Sequence, residues 1–132
     1  MATPLILLAD DEPHITHVLA RSVQKAGFDV ITAEDGEEAF ELAAERVPDL
    51  IVTDLQMPYM SGIELAEKLF GRRELSDIPV VLLSARGYVI TDDSERIDNI
   101  RLTLEKPFSA KNVIEHIRRL LDERSATGRE AA

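Results

Sequence analysis

The sequence predicts a doubly wound α/β domain, in which helices cover both faces of a five-stranded parallel sheet. Short apolar runs of strand length alternate strictly with segments of helical periodicity. The runs are continuously apolar, as expected for strands that are buried on both faces. The connections between the segments are short, which favours right-handed crossovers. Together these features indicate a three-layer α/β/α architecture with five helices.

The first strand and helix lie on either side of an acidic turn. Residues 4–9 form a continuous apolar run, and Asp10-Asp11-Glu12 follows it directly. Pro13 suits the first position of a helix, because a proline there loses no intrahelical hydrogen bond. Gly27 is expected to end this helix. The apolar positions of the helix recur at helical spacing, at Ile15, Val18, Leu19, Val23 and Ala26.

The second and third pairs carry clear helix signals. Residues 28–33 form a short strand, and Asp35-Gly36 leads into a helix. The apolar run that ends at Asp54 is the third and central strand. Ser61 and Glu64 form an S-x-x-E capping box, which predicts that a helix begins there. Each helix has one apolar face, formed by Ala39, Phe40, Ala43 and Val47 in the first and by Ile63, Ala66, Leu69 and Phe70 in the second.

The last two pairs are less regular. Residues 78–84 form a fourth predicted strand, and residues 86–99 are predicted to form a helix that Asn99 ends in a left-handed conformation. Residues 101–105 form the fifth predicted strand. Ser109 is expected to cap the final helix, because a serine hydroxyl can accept a hydrogen bond from a free backbone N–H of the first turn.

Length and composition favour one domain with its own core. Of the 132 residues, 45% are hydrophobic, which suffices for the core of one domain over residues 1–124, and residues 125–132 are expected to form a frayed tail. The absence of cysteine excludes disulfides, thiolate metal sites and cysteine nucleophiles. Neither a signal peptide nor a membrane span is predicted, so we expect a cytoplasmic protein. A net charge of −10 argues against nonspecific binding to nucleic acid or to an anionic membrane.

Charged or hydroxyl side chains stand at the ends of four of the five predicted strands. Asp10 and Asp11 follow the first strand, Asp54 ends the third, Ser84 ends the fourth and Lys106 follows the fifth. In a parallel sheet these ends share one edge. Carboxylates that are gathered there repel one another, so they must either take up protons or bind a cation. Oxygen ligands with retained water suit Mg²⁺, and we therefore predict that cation at this edge.

A divalent ion beside a carboxylate, a lysine and a hydroxyl is suited to phosphoryl transfer, in which positioning and charge neutralisation supply most of the catalysis. Asp54 would be the nucleophile and would form an aspartyl phosphate. Lys106 would pair with one phosphoryl oxygen, and the Ser84 hydroxyl would donate a hydrogen bond to another.

Four motifs resemble those of a known family. They are Leu8-Ala9-Asp10-Asp11-Glu12, Val52-Thr53-Asp54-Leu55-Gln56-Met57-Pro58 with Ser61-Gly62, Leu82-Leu83-Ser84-Ala85, and Glu105-Lys106-Pro107-Phe108. In this order and at these distances they resemble the receiver domains of two-component response regulators, over about residues 4–123. The resemblance implies a flavodoxin-like sheet with the strand order 2-1-3-4-5. It further implies that a histidine kinase or a histidine phosphotransfer protein donates the phosphoryl group.

The resemblance also implies the metal ligands. Asp11 and Asp54 would bind Mg²⁺ through their side chains, Asp10 would act through water, and the backbone carbonyl of Gln56 would complete the shell. Mn²⁺ could replace Mg²⁺. A cis peptide bond between Lys106 and Pro107 is common at this point of the family, because proline lowers the energy of the cis isomer.

The chain departs from the family pattern at two positions that matter for signalling. Ser84 stands where the family usually has a threonine, so the hydroxyl is kept without its methyl group. Thr103 stands where the family usually has an aromatic residue that turns inward on phosphorylation. These differences leave the phosphorylation chemistry intact and put the usual hydroxyl–aromatic switch in question.

The sequence therefore predicts a stand-alone receiver that signals through contacts with a downstream protein and is not a turnover enzyme. Two other functions stay open. One is an adaptor that keeps the acidic site without being phosphorylated. The other is a metal-dependent phosphohydrolase with an aspartyl-phosphate intermediate, which would be expected to have an aspartate as general acid where this chain has Gln56.

Overall fold

The computed structural model of the protein describes residues 3–85 and 97–131, with side chains described up to residue 124. Five parallel strands form one sheet in the order β2-β1-β3-β4-β5, as predicted. The strands are β1 (Leu5–Ala9), β2 (Asp29–Ala33), β3 (Leu50–Asp54), β4 (Val80–Ser84) and β5 (Ile100–Glu105). The helices of the described residues are α1 (Pro13–Lys25), α2 (Gly36–Arg46), α3 (Gly62–Phe70) and α4 (Ala110–Ala131).

The core consists of two apolar layers, one on each face of the sheet. Successive strand residues point to opposite faces, so Leu7 and Ile51 pack on the side of α2 and α3, while Leu8 and Val52 pack on the side of α1 and α4. All four of these side chains are buried. Each contributes about 2 kcal/mol of hydrophobic stabilisation. The predicted three-layer architecture follows directly from this alternation.

Local signals place most helix ends where the sequence predicted them. Pro13 is the first residue of α1, and Gly27 after its end has a φ of 104°. The side chain of Ser61 accepts the backbone N–H of Glu64, whose own carboxylate accepts the N–H of Ser61, so the capping box is confirmed. The Ser109 hydroxyl accepts the N–H of Asn112.

Three predicted positions of helical side chains are wrong. Val18 on α1 is 61% exposed and Phe70 at the end of α3 is 44% exposed, although both continue an apolar face. Val47 lies just outside α2 in a left-handed conformation and is 46% exposed. Val18 lies in the middle of α1 on its exposed face, whereas Phe70 and Val47 stand where α3 and α2 end.

The prediction for Asn99 is also wrong. Its backbone is not left-handed, since Val47 and Tyr59 are the non-glycine residues with positive φ among those described. Asn99 lies in the turn before β5, where it is buried and its Nδ2 donates a hydrogen bond to the carbonyl oxygen of Ala66 on α3, at 2.9 Å. The predicted helix over residues 86–99 falls largely on residues 86–96, which are outside the described part of the chain.

The last helix extends to Ala131, so its backbone includes residues 125–131 of the segment that the sequence predicted as a frayed tail. The domain boundary near residue 124 stays a prediction. None of the helices in residues 3–85 and 97–131 combines the length and the hydrophobicity of a membrane-spanning segment.

Candidate functional site

The strand register brings the predicted site residues to one edge of the sheet. Ala9 pairs with Thr53, so Asp10 and Asp54, one residue further along each strand, lie level with each other. Asp54 pairs with Leu83, the neighbour of Ser84, and Ser84 pairs with Glu105, the neighbour of Lys106. The carboxyl ends of four strands therefore meet, as expected for an open parallel sheet.

Lys106 joins the two buried carboxylates of this edge. Its Nζ lies 3.3 Å from Oδ1 of Asp54 and 3.5 Å from Oδ2 of Asp10. The backbone N–H of Lys106 donates to the carbonyl oxygen of Ser84 at 2.7 Å, which fixes the start of the following turn to the end of β4. The Lys106–Pro107 peptide bond is cis. Asp54 is 6% exposed and Asp10 is 4% exposed, so the ion pairs are largely shielded from solvent.

Burial governs the protonation of these groups. Desolvation raises the pKa of Asp54 above its ordinary value, and the Lys106 ammonium only partly offsets this effect. Desolvation also raises the pKa of Asp10, with the negative charge of Asp54 acting in the same direction. For Lys106, burial acts to lower the pKa, but the Asp10 and Asp54 carboxylates outweigh it and raise the pKa above the ordinary value. The site thus places two carboxylates, whose charged forms burial disfavours, beside one lysine whose charged form these carboxylates favour.

The chain around Asp54 requires a glycine at position 62. A Cβ atom on Gly62 would lie 2.5 Å from the carbonyl oxygen of Asp54, so α3 begins directly against the end of β3. The N–H of Gly62 donates to the carbonyl oxygen of Leu55, and the buried Thr53 hydroxyl donates to the carbonyl oxygen of Asp54. These contacts hold the backbone of the Asp54 segment in place.

A cluster of carboxylates suitable for a cation lies next to Asp54. Asp10, Asp11 and Glu12 each place one oxygen within 4.8 Å of the others. Oδ1 of Asp10 accepts the N–H of Glu12 at 2.9 Å. Oδ2 of Asp10 is buried without a hydrogen bond and has the Lys106 ammonium, 3.5 Å away, as its counter-charge. This donor set fits Mg²⁺, because hard carboxylate oxygens with room for water are its preferred ligands.

The other predicted site residues differ from one another in position and in exposure. Ser84 is 4% exposed at the end of β4, close to the edge that it was expected to serve. Gln56 is exposed in the loop after β3. Thr103 is half-buried in β5, paired with Leu82. Glu12 belongs to the carboxylate cluster but was not predicted among the ligands, although the run of three acidic residues after β1 could have indicated it.

Fold and site together define a phosphoryl-accepting signalling domain, and comparison with known proteins gives the family. The protein-family model of the response regulator receiver domain matches residues 6–118 of this chain. The chain belongs to the receiver domain family of response regulators. Receiver domains are signalling modules of two-component systems rather than turnover enzymes, they interact with histidine kinases or phosphotransfer proteins, and they bind Mg²⁺ at an acidic site.

Relatives with curated descriptions are longer than this chain. A probable transcriptional regulator ycf27 from Porphyridium aerugineum is 38% identical over 120 residues, which cover 88% of this chain and 47% of the relative. The phosphate regulon transcriptional regulatory protein PhoB from Pseudomonas aeruginosa is 33% identical over 126 residues, which cover 92% of this chain and 53% of the relative. The chain thus spans about half the length of these relatives.

Solved structures show the same fold over nearly the whole chain. The receiver domain of the Francisella response regulator 1452 has a TM-score of 0.78 at 30% identity, with 92% of this chain and 98% of that chain covered. The chemotaxis response regulator CheY4 of Vibrio cholerae has a TM-score of 0.81 at 25% identity, with 89% and 98% covered. The flavodoxin-like fold and the phosphorylation-dependent signalling class are therefore confirmed.

Proposed function

We propose that Asp54 is the phosphoacceptor of this receiver and that it takes the phosphoryl group from a phosphohistidine on a partner protein. One observation carries this proposal: the Lys106 ammonium lies between the carboxylates of Asp54 and Asp10 at the shared edge of the sheet. A cation placed there can stabilise the negative charge that develops on a phosphoryl oxygen during transfer.

The transfer step follows from the chemistry of the two partners. An Asp54 carboxylate oxygen attacks phosphorus, the phosphorus–nitrogen bond of the donor breaks, and the bonding electrons return to the imidazole of the donor. Lys106 then exchanges a carboxylate contact for a phosphoryl oxygen. Ser84 donates its hydroxyl proton in a hydrogen bond to a second phosphoryl oxygen. Water later hydrolyses the acyl phosphate slowly, which resets the domain.

The metal site is part of the proposal. Asp10, Asp11, Asp54 and the backbone carbonyl of Gln56 would hold Mg²⁺, with Mn²⁺ as a substitute. When bound, the ion neutralises negative charge shared by the carboxylates and the phosphoryl group. The cluster of Asp10, Asp11 and Glu12 oxygens, which lie within 4.8 Å of one another, supports this assignment, because hard carboxylate oxygens are the ligands that Mg²⁺ prefers.

The output of the domain is proposed to be a contact with another protein. Phosphorylation changes the charge of the edge formed by Asp54 and Lys106, and the surface of β5 and α4 next to it would report that change. The relatives are about twice as long as this chain. Any downstream partner, and any activity of a complete regulator, is therefore also part of this proposal. We further propose that this signalling takes place in the cytoplasm.

Phosphorylation with a small donor tests the proposal. The protein is incubated with acetyl phosphate and Mg²⁺, and its intact mass is measured with and without a chelator. Wild-type protein should gain the mass of one phosphoryl group, and Asp54→Ala should gain none. An equal gain in both proteins, or no gain in the wild type, contradicts the proposal and favours the adaptor function. Continued release of inorganic phosphate at many turnovers would instead favour the phosphohydrolase.

A further inference from the structure

Tyr59 occupies a position that the fold does not explain. It lies in the loop between β3 and α3, five residues after Asp54, with a φ of 69°. The N–H of Met60 donates to the carbonyl oxygen of Pro58 at 2.7 Å, so Tyr59 is the central residue of a γ-turn. A γ-turn with a positive φ is rare and strained for a residue that carries a side chain.

The turn itself has a clear structural cause. Met60 is buried, and its side chain packs against the first residue of α2, where a Cβ atom on Gly36 would lie 2.7 Å from Cβ of Met60. The chain must turn sharply after Pro58 to bring Met60 inward. Glycine or asparagine would make this turn more easily than tyrosine, because both adopt a positive φ at lower cost.

Among residues 3–85 and 97–124, no contact of the aromatic ring offsets this strain. The Tyr59 residue is 89% exposed. Within the described residues, it has no hydrogen bond, ring contact or packing partner. An exposed tyrosine offers a large contact area at a small loss of side-chain entropy on binding, because it has only two χ angles, as is common in binding surfaces.

The surroundings of the ring identify the kind of partner. Contact between Met60 and Gly36 places Tyr59 beside the start of α2, where Glu37 and Glu38 are exposed. Asp11 and Glu12 add further exposed carboxylates at the same edge of the sheet. An exposed aromatic ring in a loop at an edge that also carries exposed carboxylates fits an arginine or lysine of a partner, through cation–π and ionic contacts.

We infer that Tyr59 is a contact residue for the protein that phosphorylates Asp54, and that this donor presents a basic side chain to the ring. The inference rests on the proposed function. Any protein that brings a phosphohistidine to Asp54 must lie over the edge that carries these carboxylates, and the Tyr59 loop forms one border of that edge. Opposite charges would also accelerate the encounter of the two proteins.

The test compares a protein donor with a small donor. Histidine kinases from the genome that encodes this chain are autophosphorylated with ATP, and the one that transfers fastest to the wild type serves as the probe. Tyr59→Gly and Tyr59→Asn should lower kcat/KM for this transfer about tenfold, whereas Tyr59→Phe should stay within about twofold. Phosphorylation by acetyl phosphate should proceed at the wild-type rate in all three, because so small a donor does not reach the ring.

Two further measurements separate a contact from a structural role. Tyr59→Gly should melt at the same or a higher temperature than the wild type, because it relieves the strained turn. Glu37→Lys should slow transfer from the kinase and weaken its salt dependence, whereas Asp29→Lys makes the same charge change at the start of β2, at the opposite end of the sheet, and should have little effect.

The outcomes that overturn the inference are distinct from those that overturn the proposed function. Equal kinase transfer to the wild type and Tyr59→Gly, a lower melting temperature of Tyr59→Gly, or parallel losses with kinase and acetyl phosphate would each overturn the contact role. So would the absence of transfer from every kinase to a wild type that accepts acetyl phosphate. Failure of acetyl phosphate to modify Asp54 would instead overturn the proposed function.

Discussion

The Nζ atom of Lys106 lies 3.3 Å from Oδ1 of Asp54, although the two residues are more than 50 positions apart in the chain. The parallel register between β3, β4 and β5 produces this contact, because it aligns the carboxyl ends of the three strands. Lys106 also contacts Asp10 at 3.5 Å, so one cation serves two buried carboxylates. Its removal should therefore affect both the chemistry and the stability of the site.

Replacing Lys106 by methionine should slow phosphorylation of Asp54 by acetyl phosphate about a hundredfold, because a charge-stabilising donor is lost from the transition state. The free energy of unfolding should fall by about 2 kcal/mol, since two buried carboxylates lose their counter-charge. Intact-mass kinetics and urea denaturation measure the two effects. Lys106→Arg keeps the charge and should recover most of the stability. A methionine variant with wild-type kinetics would show that Lys106 takes no part in transfer.

The raised pKa values of Asp10 and Asp54 predict how stability depends on pH in the absence of Mg²⁺. A carboxyl group whose pKa is raised by folding binds more protons in the folded state than in the unfolded state between the two pKa values. Stability therefore decreases as pH rises from the ordinary aspartate pKa of 3.8 through the raised value. Stability then stays low above the raised pKa values, where both groups are charged in the folded and unfolded states.

Asp10→Asn should therefore stabilise the metal-free protein at neutral pH, by about 1 kcal/mol or roughly 4 °C in melting temperature. The gain should disappear in acid, below the ordinary aspartate pKa, because the wild-type carboxyl is then neutral in both states. Thermal melts over this pH range measure the effect. Asp29→Asn, at an exposed position at the start of β2, is the matched control and should leave the melting temperature nearly unchanged. Destabilisation by Asp10→Asn at neutral pH would contradict the assigned direction of the shift.

Addition of Mg²⁺ should reverse this electrostatic cost. At a concentration a hundred times its dissociation constant, a ligand that binds only the folded state stabilises by about 2.7 kcal/mol, and a chelator should remove that gain. Asp11→Asn should abolish most of the Mg²⁺-dependent rise in melting temperature. Glu12→Gln should leave most of it, because the predicted ligand set contains Asp11 and not Glu12. A larger loss of the Mg²⁺-dependent rise in Glu12→Gln than in Asp11→Asn would instead identify Glu12, a member of the carboxylate cluster, as a ligand of the ion.

The sheet order followed from the resemblance to receiver domains, whereas the edge at which the site lies followed from the residues at the strand ends. Asp54 and Lys106 could be placed together because parallel strands align their carboxyl ends. This rule needs only the succession of strands and helices along the chain and the handedness of the crossovers. The residue-level chemistry then followed from the types of side chain at those ends. Long-range placement succeeded here because it depends on topology rather than on local detail.

Features decided by tertiary contacts could not be predicted in this way. Asn99 was expected to end a helix in a left-handed conformation, but its side chain instead donates to Ala66 across the interface between the β5 turn and α3. Val18 continues an apolar helical pattern and is nevertheless exposed. The strained turn at Tyr59 arises because Met60 is buried against Gly36, a contact between elements that are remote in sequence. Propensity describes each segment alone, so it does not include such contacts.

Gly62 offers a test of how closely the Asp54 segment is packed. A Cβ atom at this position would lie 2.5 Å from the carbonyl oxygen of Asp54 and 3.2 Å from Cα of Leu55, both of which are backbone atoms that cannot rotate away. Gly62→Ala should therefore lower the free energy of unfolding by about 2 kcal/mol or more and slow phosphorylation of Asp54, because α3 must move away from β3.

Gly71 is the matched control for this substitution, because it lies at the other end of the same helix. Its φ is −74°, and a Cβ atom there would approach only to 3.6 Å of the carbonyl oxygens of Glu67 and Lys68, an ordinary contact distance. Gly71→Ala should leave the protein as stable as the wild type or slightly more stable, because alanine restricts the unfolded chain. Urea denaturation and acetyl phosphate kinetics of both variants provide the comparison. If Gly62→Ala matches Gly71→Ala in both measurements, then the start of α3 does not constrain the backbone of Asp54.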